Sequence, residues 1–391
     1  MPSTLLALSL LSLAIWIYLL ALRGGFWRSA ERLAEAPPPA VWPAVTAVVP
    51  ARDEAEVIGA SLASLLAQDY PGTFNVILVD DHSADGTAAE ARAAAAASPH
   101  PDRFRLLPAA PLPAGWTGKL WALHQGVQQA APETAFFWFS DADIRQPPDA
   151  LRRLVAKAEA ERRDLVSLMV ALTCEGFWER LLIPPFIYFF QKLYPFAWSN
   201  DPRARTAAAA GGCVLLRRQA LARIGGLGAI RHALIDDCSL AAAVKRGSPE
   251  GGGGIWVGLA TEARSIRPYG GLGTIWDMVA RTAYNQLRHS PPILAGTLAG
   301  MVLTYLVPPL LLLAWPWHRE DLPAALGGLT WLAMALSLLP TLRLYRQPMW
   351  LAPLLPLAAA LYSAMTLDSA WRHWRGRGGR WKGRVQDTPA G

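Results

Sequence analysis

Cysteine is scarce and charge is thin in this chain. Three cysteines (Cys174, Cys213 and Cys238) stand in 391 residues. They show no CxxC spacing and no disulfide framework, which speaks against a structural zinc site and a stapled secreted fold. Each reads as a small core residue in a reducing compartment. Charged residues make up 17% of the chain against 52% hydrophobic, and the mean hydropathy is +0.21. That balance is too apolar for an ordinary soluble enzyme of this size. The formal net charge is +7, yet no nucleic-acid recognition motif accompanies it. The basic residues lie instead beside apolar runs. Arg23, Arg28 and Arg32 follow the first, and "RHWRGRGGRWKGR" (372–384) follows the last. Such clusters face the cytoplasm and anionic lipid.

What is abundant sits at the two ends. "LLALSLLSLAIWIYLLAL" (5–22) is about long enough to cross a bilayer. It lacks a basic n-region and a small-residue cleavage site, so 1–24 is expected to be an anchor rather than a removed signal peptide. The Pro-rich "APPPAVWP" makes 25–44 a stiff linker. Near the other end, 291–371 holds three apolar segments, about 292–316, 322–342 and 348–367, before the basic tail 372–391. Three crossings after a cytosolic domain would put that tail outside, against the positive-inside tendency. One segment is therefore expected to be re-entrant or interfacial. The aromatic stretch 177–198, split by Pro184 and Pro185 and carrying Arg180 and Lys192, is expected to form an interfacial helix pair. Tryptophans that flank the apolar segments, such as Trp315 and Trp374, read as interfacial anchors.

Between the ends, from Val45 to about Pro268, the pattern becomes α/β. "VTAVVP" (45–50), "NVILVD" (75–80), "AFFWFS" (135–140) and "IWVGLA" (255–260) are apolar runs typical of buried strands. Helical spacing fills the gaps, as in "EAEVIGASLASLLAQ", and "EGGGG" (250–254) reads as a flexible loop. Strand and helix in alternation predict right-handed βαβ units and an open, mostly parallel sheet, with ligands beyond the carboxyl ends of its strands.

Acids stand where that sheet would place a ligand. Asp80 and Asp81 end the second strand, Asp141 and Asp143 end a later one, and Asp236 and Asp237 open a helical pattern. Taken singly, each pair could equally be structural, Asp80 or Asp81 as a helix cap and Asp236 and Asp237 as a helix N-terminus. Gathered at one edge, they would repel one another unless a cation or a hydrogen-bonding ligand joined them.

Five stretches in order carry a family resemblance over roughly 45–290. They are "VVPARDEAEVIGASLASLLAQDYPGTFNVILVDDHSADGT", "GKLWALHQG", "DAD", "GGCVLLRRQALARIGGL" and "IDDCSLA". Together they resemble family 2 glycosyltransferases, inverting enzymes of the GT-A (Rossmann-like) fold. The "GWTGKLWAL" and "WKGR" details are most similar to the hopene-associated glycosyltransferases. The resemblance implies an α/β GT-A catalytic domain at 45–290, between N- and C-terminal transmembrane helices. It further implies that Pro50, Ala51, Arg52 and Glu54 form the loop after the first strand and cradle the nucleotide, and that Asp80 and Asp81 accept from the base. Lys119 would lie near the diphosphate, and Asp141 would contact the ribose or the metal. Asp143 would bind Mg²⁺ or Mn²⁺, hard cations suited to carboxylate oxygen. Asp237 would be the general base for the acceptor hydroxyl, with Asp236 beside it, where the family usually has Glu.

Two departures matter. The Gln-x-x-Arg-Trp motif of the processive synthases is matched at 281–290 by "RTAYNQLRHS". Arg288 remains for the diphosphate, but Asn285 and His289 replace the Gln and the Trp. That favours a single transfer to a lipid over polymer synthesis. No histidine pair among His82, His124, His232 and His289 has metal-ligand spacing, and only His289 belongs near the site. Trp116 and Trp121, beside Lys119, are candidates for packing on donor or acceptor. The expected protein is a multi-pass enzyme of the bacterial inner membrane with its catalytic domain in the cytoplasm. It takes a nucleotide-diphosphate sugar and a lipid acceptor, of which a hopanoid is the first candidate, and no nucleic acid. Two other readings stay open. One is a polyisoprenyl-phosphate sugar transferase, its acceptor held by Arg203, Arg205, Arg217 and Arg218. The other is a non-catalytic lipid-binding scaffold.

Overall fold

The computed structural model describes residues 3–247, 254–381 and 384–385. Most of the 250–254 loop and half of the "WKGR" stretch lie outside them. The chain forms two compact units. One comprises 30–173, 198–268 and 380–391; the other comprises 1–29, 174–197 and 269–379. Within the 45–290 stretch, 174–197 and 269–290 thus group with the helical unit rather than with the sheet.

Among the described residues, the main sheet of the first unit has eight strands: β1 (Val45–Ala51), β2 (Phe74–Asp80), β3 (Phe104–Pro108), β4 (Phe136–Ser140), β5 (Ile144–Arg145), β6 (Leu165–Ala171), β7 (Cys213–Arg217) and β8 (Ile255–Ser265). Their order is β3-β2-β1-β4-β7-β6-β8-β5. β7 runs antiparallel to both β4 and β6, and β5 runs antiparallel to β8. The remaining pairings are parallel. The sheet is therefore mostly parallel, as expected, with two reversed strands that the run-by-run reading did not contain.

Every residue of β1 is buried, which is why it reads as an unbroken apolar run: helices cover both faces. Helices Ala55–Leu66 and Ala150–Ala160 pack on one face through Leu62, Leu65 and Leu154. Gly118–Gln128 and Asp236–Gly247 pack on the other through Leu123 and Leu240. A Cβ at Gly126 would stand 2.3 Å from Val48 Cγ1, so only glycine lets the Gly118–Gln128 helix lie this close to β1.

Pro50 and Ala51 are the last two residues of β1, not part of the loop after it. Proline is tolerated in this central strand for a local reason. Odd residues of β1 bond toward β2, as Val45 N to Thr73 O does, and even ones face β4, as Ala44 O accepting from Phe136 N does. The β4 pairing ends at Val48 with Phe139, so the missing N–H of Pro50 breaks no ladder bond.

Among the described residues, the helical unit contains four helices long and apolar enough to cross a membrane: Thr4–Ala21, Pro291–Leu313, Asp321–Leu344 and Met349–Trp374. The stretch expected to be a helix pair is instead one helix, Phe177–Leu193, that runs through Pro184 and Pro185. The chain breaks at Tyr194–Pro195, before the short helix Phe196–Asn200.

Pro291–Leu313 shows why the N-terminal helix docks where it does. Pro308 has no N–H, so the carbonyl of Thr304 has no helical donor. One turn back, Val307 N bonds Val302 O in a π-turn, which frees the Leu303 carbonyl. Trp16 Nε1 donates to Thr304 O at 2.8 Å and Ser12 Oγ to Leu303 O at 2.9 Å. Both freed acceptors are thereby satisfied in an apolar setting. Gly327 permits the second close approach of the unit, since a Cβ there would lie 2.7 Å from Pro308 O.

Candidate active site

The site forms beyond the carboxyl ends of β1, β2 and β4, the edge where open α/β sheets hold ligands. After β4 the chain turns tightly, with Ile144 N bonded to Asp141 O at 3.3 Å. Ala142 is buried in the core beneath this turn. The small middle residue anchors the turn and leaves Asp141 and Asp143 flanking it.

Lys119 stands in the first turn of Gly118–Gln128, whose N-cap Thr117 accepts from Leu120 N. Its ammonium lies 2.7 Å from Asp141 Oδ1 and 3.5 Å from Asp236 Oδ2. Burial alone would lower the Lys119 pKa, but Asp141 and then Asp236 outweigh it and hold the amine protonated. Asp236 and Asp237 open the helix Asp236–Gly247. Asp237 accepts from Gly211 N at 2.9 Å and from Cys238 N at 2.7 Å. Burial, and then the neighbouring Asp236, nevertheless push its carboxyl up to about 6. Gly211 sits so close that a Cβ would be 3.0 Å from Lys119 Nζ. The loop before it is pinned by Lys245, which donates to the carbonyls of Trp198, Ser199 and Thr206 at 3.1, 2.7 and 2.6 Å.

Lys119, Gly211, Asp236 and Asp237 form the polar wall of a small cleft with apolar side chains such as Phe139 and Leu240 beneath. Asp81, Asp141 and Asp143 are not on its lining; Asp141 joins it through Lys119. Asp143 accepts from Ser265 Oγ at 2.8 Å and lies 3.4 Å from Arg267 Nε. Arg267 also pairs with Glu54. Burial and then Asp141 raise the pKa of Asp143.

At the β1–β2 end, Arg52 Nη1 donates to Asp81 O at 2.6 Å and lies 3.7 Å from Asp81 Oδ2. Asp81 is buried and also meets His82 Nδ1 at 3.2 Å. Asp80 takes the turn-capping role, its Oδ1 accepting from Ser83 N at 3.2 Å. Arg288 belongs to the helical unit, exposed, with φ 54°. In the same unit His289 stacks on His373 with ring centroids 4.1 Å apart. Trp116, Trp121 and His124 form one half-buried aromatic cluster.

Two of the four arginines considered for a phosphate acceptor are at the wrong end. β7 runs back from Cys213, opposite Ser140, to Arg217, opposite Phe136. Arg217 pairs there with Glu159 at 2.9 Å, and Arg218 donates to the carbonyls of Ala131 and Pro132. Arg203 and Arg205 are exposed on the 201–206 loop. Sequence reasoning missed Arg267, Ser265 and Gly211. Gly211 lay inside a quoted motif without a role, and Arg267 has no local signal at all.

The donor set suits a hard divalent cation, which takes one or two carboxylates and completes its shell with phosphate oxygens and water. Asp141 and Asp143 are two adjacent carboxylates, and Asp143 resists ionisation because of its burial and then of its neighbour Asp141, a conflict that a cation relieves. Among the described residues no three His, Cys, Asp or Glu side chains gather into a metal site, so the other ligands would come from a bound diphosphate and water.

Residues 46–225 match the family model described as Glycosyl transferase family 2. No curated protein matches the chain significantly. Among solved structures, the chain is similar to the mannosyltransferase PcManGT from Pyrobaculum calidifontis, in complex with GDP-Man and Mn²⁺. Identity is 22%, coverage 95% of this chain and 99% of that one, and the TM-score 0.54. TarS of S. aureus, residues 1–349 with UDP-GlcNAc, follows at 14% identity, 89% and 97% coverage and TM-score 0.41. Glucosyl-3-phosphoglycerate synthase from Mycobacterium tuberculosis, with Mn²⁺, UDP-Glc and phosphoglyceric acid, stands at 18%, 61% and 78%, and 0.37. The similarity to the mannosyltransferase establishes the GT-A fold, and the family match supports a glycosyltransferase.

Proposed function

We propose that the protein is a membrane-bound inverting glycosyltransferase that moves a sugar from a nucleotide diphosphate to a lipid alcohol, with a hopanoid as the first candidate acceptor. The observation that carries this reading is Asp237. It is a half-buried carboxylate on the wall of the cleft, fixed by two backbone N–H groups and poised to titrate at about 6. A general base works best when its pKa lies near the operating pH. Ionised at neutral pH, Asp237 would take the acceptor's proton as its oxygen attacks the anomeric carbon.

Lys119 would place positive charge beside the leaving diphosphate, and its contact with both Asp141 and Asp236 ties the donor end of the cleft to the base. Arg52, Glu54, Asp80 and Asp81, at the ends of β1 and β2, would hold the nucleotide base and ribose. Asp141 and Asp143 would hold Mg²⁺ or Mn²⁺, which supplies Lewis-acid neutralisation of the departing diphosphate. The four apolar helices support residence in a bilayer, and Arg23, Arg28 and Arg32 after the first of them favour the cytoplasmic side of a bacterial inner membrane for the catalytic domain. A lipid phosphate acceptor is less well supported, because Arg217 and Arg218 are engaged at the opposite end of the sheet.

The test is to incubate membranes containing the protein with a panel of labelled nucleotide sugars and Mn²⁺, then extract with organic solvent. A labelled glycolipid that resists mild acid is expected from an alcohol acceptor. An acid-labile product would point to a lipid phosphate, and label that never enters the organic phase would overturn the reading.

A further inference from the structure

We propose that Arg267 is a built-in competitor for the cation position. Its guanidinium neutralises Asp143 and Glu54 while no divalent cation is bound, and it must release Asp143 before a cation can take that carboxylate. The inference rests on the reading of Asp141 and Asp143 as cation ligands.

The arrangement follows from the topology. β5 pairs antiparallel with the end of β8, Ile144 opposite Ser265, and Ile266 N continues the ladder to Asp143 O at 2.9 Å. That pairing brings residues 265–267 against an acid more than a hundred positions earlier in the chain. Ser265 Oγ takes Asp143 Oδ2 at 2.8 Å. Arg267 then reaches the same oxygen with Nε at 3.4 Å and Glu54 with Nη2. Glu54 N is in turn fixed by Thr87 Oγ1 at 2.8 Å. One planar guanidinium thus bridges the loop after β1 to the acid turn after β4, a two-sided fit that an arginine fork makes and a lysine does not.

What distinguishes a competitor from a structural tie is which part can move. The main chain of Arg267 is held, since Thr173 Oγ1 donates to its carbonyl at 2.8 Å. Its side chain is 36% exposed, against 18% for Asp143 and 10% for Glu54. The acids are the more buried partners and the guanidinium is the more exposed one. A pair of this exposure is weak enough for a divalent ion with a diphosphate to displace. Lys119 performs the matching service for Asp141, but it is buried more deeply, at 21%, and shared with Asp236. Of the two resident cations, Arg267 is therefore the one positioned to swing out. The consequence is ordered loading: the bare enzyme binds the metal poorly and gains it together with the nucleotide.

The experiment measures Mn²⁺ binding to the full-length protein in detergent, without nucleotide, by the loss of the free-ion paramagnetic resonance signal. Arg267→Gln is expected to bind Mn²⁺ roughly twofold to fivefold more tightly than the wild type, the gain for releasing one partly exposed ion pair. Arg267→Lys, which keeps the charge but cannot bridge both acids, should fall between them, and it serves as the test if the Gln variant does not fold. Ser265→Ala loosens Asp143 without removing the competitor and should give no gain. If the Arg267 variants bind Mn²⁺ no better than wild type while Asp143→Asn abolishes binding, the competitor role is overturned and the cation reading survives. An equal gain in Ser265→Ala would also overturn it. If no form binds Mn²⁺ even with UDP or GDP present, the cation reading falls and this inference with it.

Discussion

Asp237 receives a backbone hydrogen bond on each carboxylate oxygen, yet its proton is held to about 6 because of burial and then of the adjoining Asp236. Chemistry that needs the ionised form should fade as pH falls. The acid limb of kcat/KM is therefore expected near pH 6, with activity present above it and lost below, as measured by initial rates across a pH series. Asp237→Asn should lower kcat by about 10²- to 10⁴-fold while donor affinity, followed by calorimetry with the nucleotide, stays near wild type. Full turnover in that variant would remove Asp237 from the role of base. Lys119 is the charge that restrains the rise at Asp237. In Lys119→Met the acid limb should consequently move above the wild-type position, and donor binding should weaken as well, because Asp141 and Asp236 lose their shared cation.

At the level of elements, the helical unit is held by apolar packing and also by side chains that satisfy freed backbone carbonyls. Trp16 is buried, and its indole N–H serves the one carbonyl that Pro308 leaves without a donor. Trp16→Phe keeps most of the ring's packing against Tyr305 but leaves Thr304 O unsatisfied. A loss of about 1–2 kcal/mol is expected, read as a lower thermal midpoint in detergent. A variant as stable as wild type would show that another donor reaches this carbonyl. In the sheet unit, the antiparallel β7 does comparable work. By entering beside β4 it delivers Gly211 to the cleft at one end and carries Arg217 and Arg218 away at the other. A short strand read on its own shows its burial but not its direction, and direction decided what these three residues can do.

For the whole molecule, the expectation concerns attachment. Thr4–Ala21 and the three C-terminal helices are each long and apolar enough to cross a bilayer. Leu310, Leu329, Trp317 and Trp350 present large apolar surface outward, more than a soluble unit leaves uncovered. The protein should stay with the membrane through high-salt and alkaline washes and come off only with detergent. Release by salt alone would mean that the basic flanks, not the helices, hold it there.

The sequence by itself determined what depends on neighbours along the chain. The apolar runs of β1, β2 and β4, the apolar helices at both ends and the acids that close strands all follow from local composition and period, and each stands where it was expected. What only the tertiary structure decided is which of those groups meet. Lys119 joins Asp141 to Asp236 because helix Gly118–Gln128 and the start of Asp236–Gly247 converge on one cleft. Arg267 meets Glu54 and Asp143 because the two-residue strand β5 pairs with the end of β8. Register between distant strands is set by packing over the whole sheet, and a local pattern carries no record of it. That is why the acids could be named in advance while the cations that hold them could be named only in part.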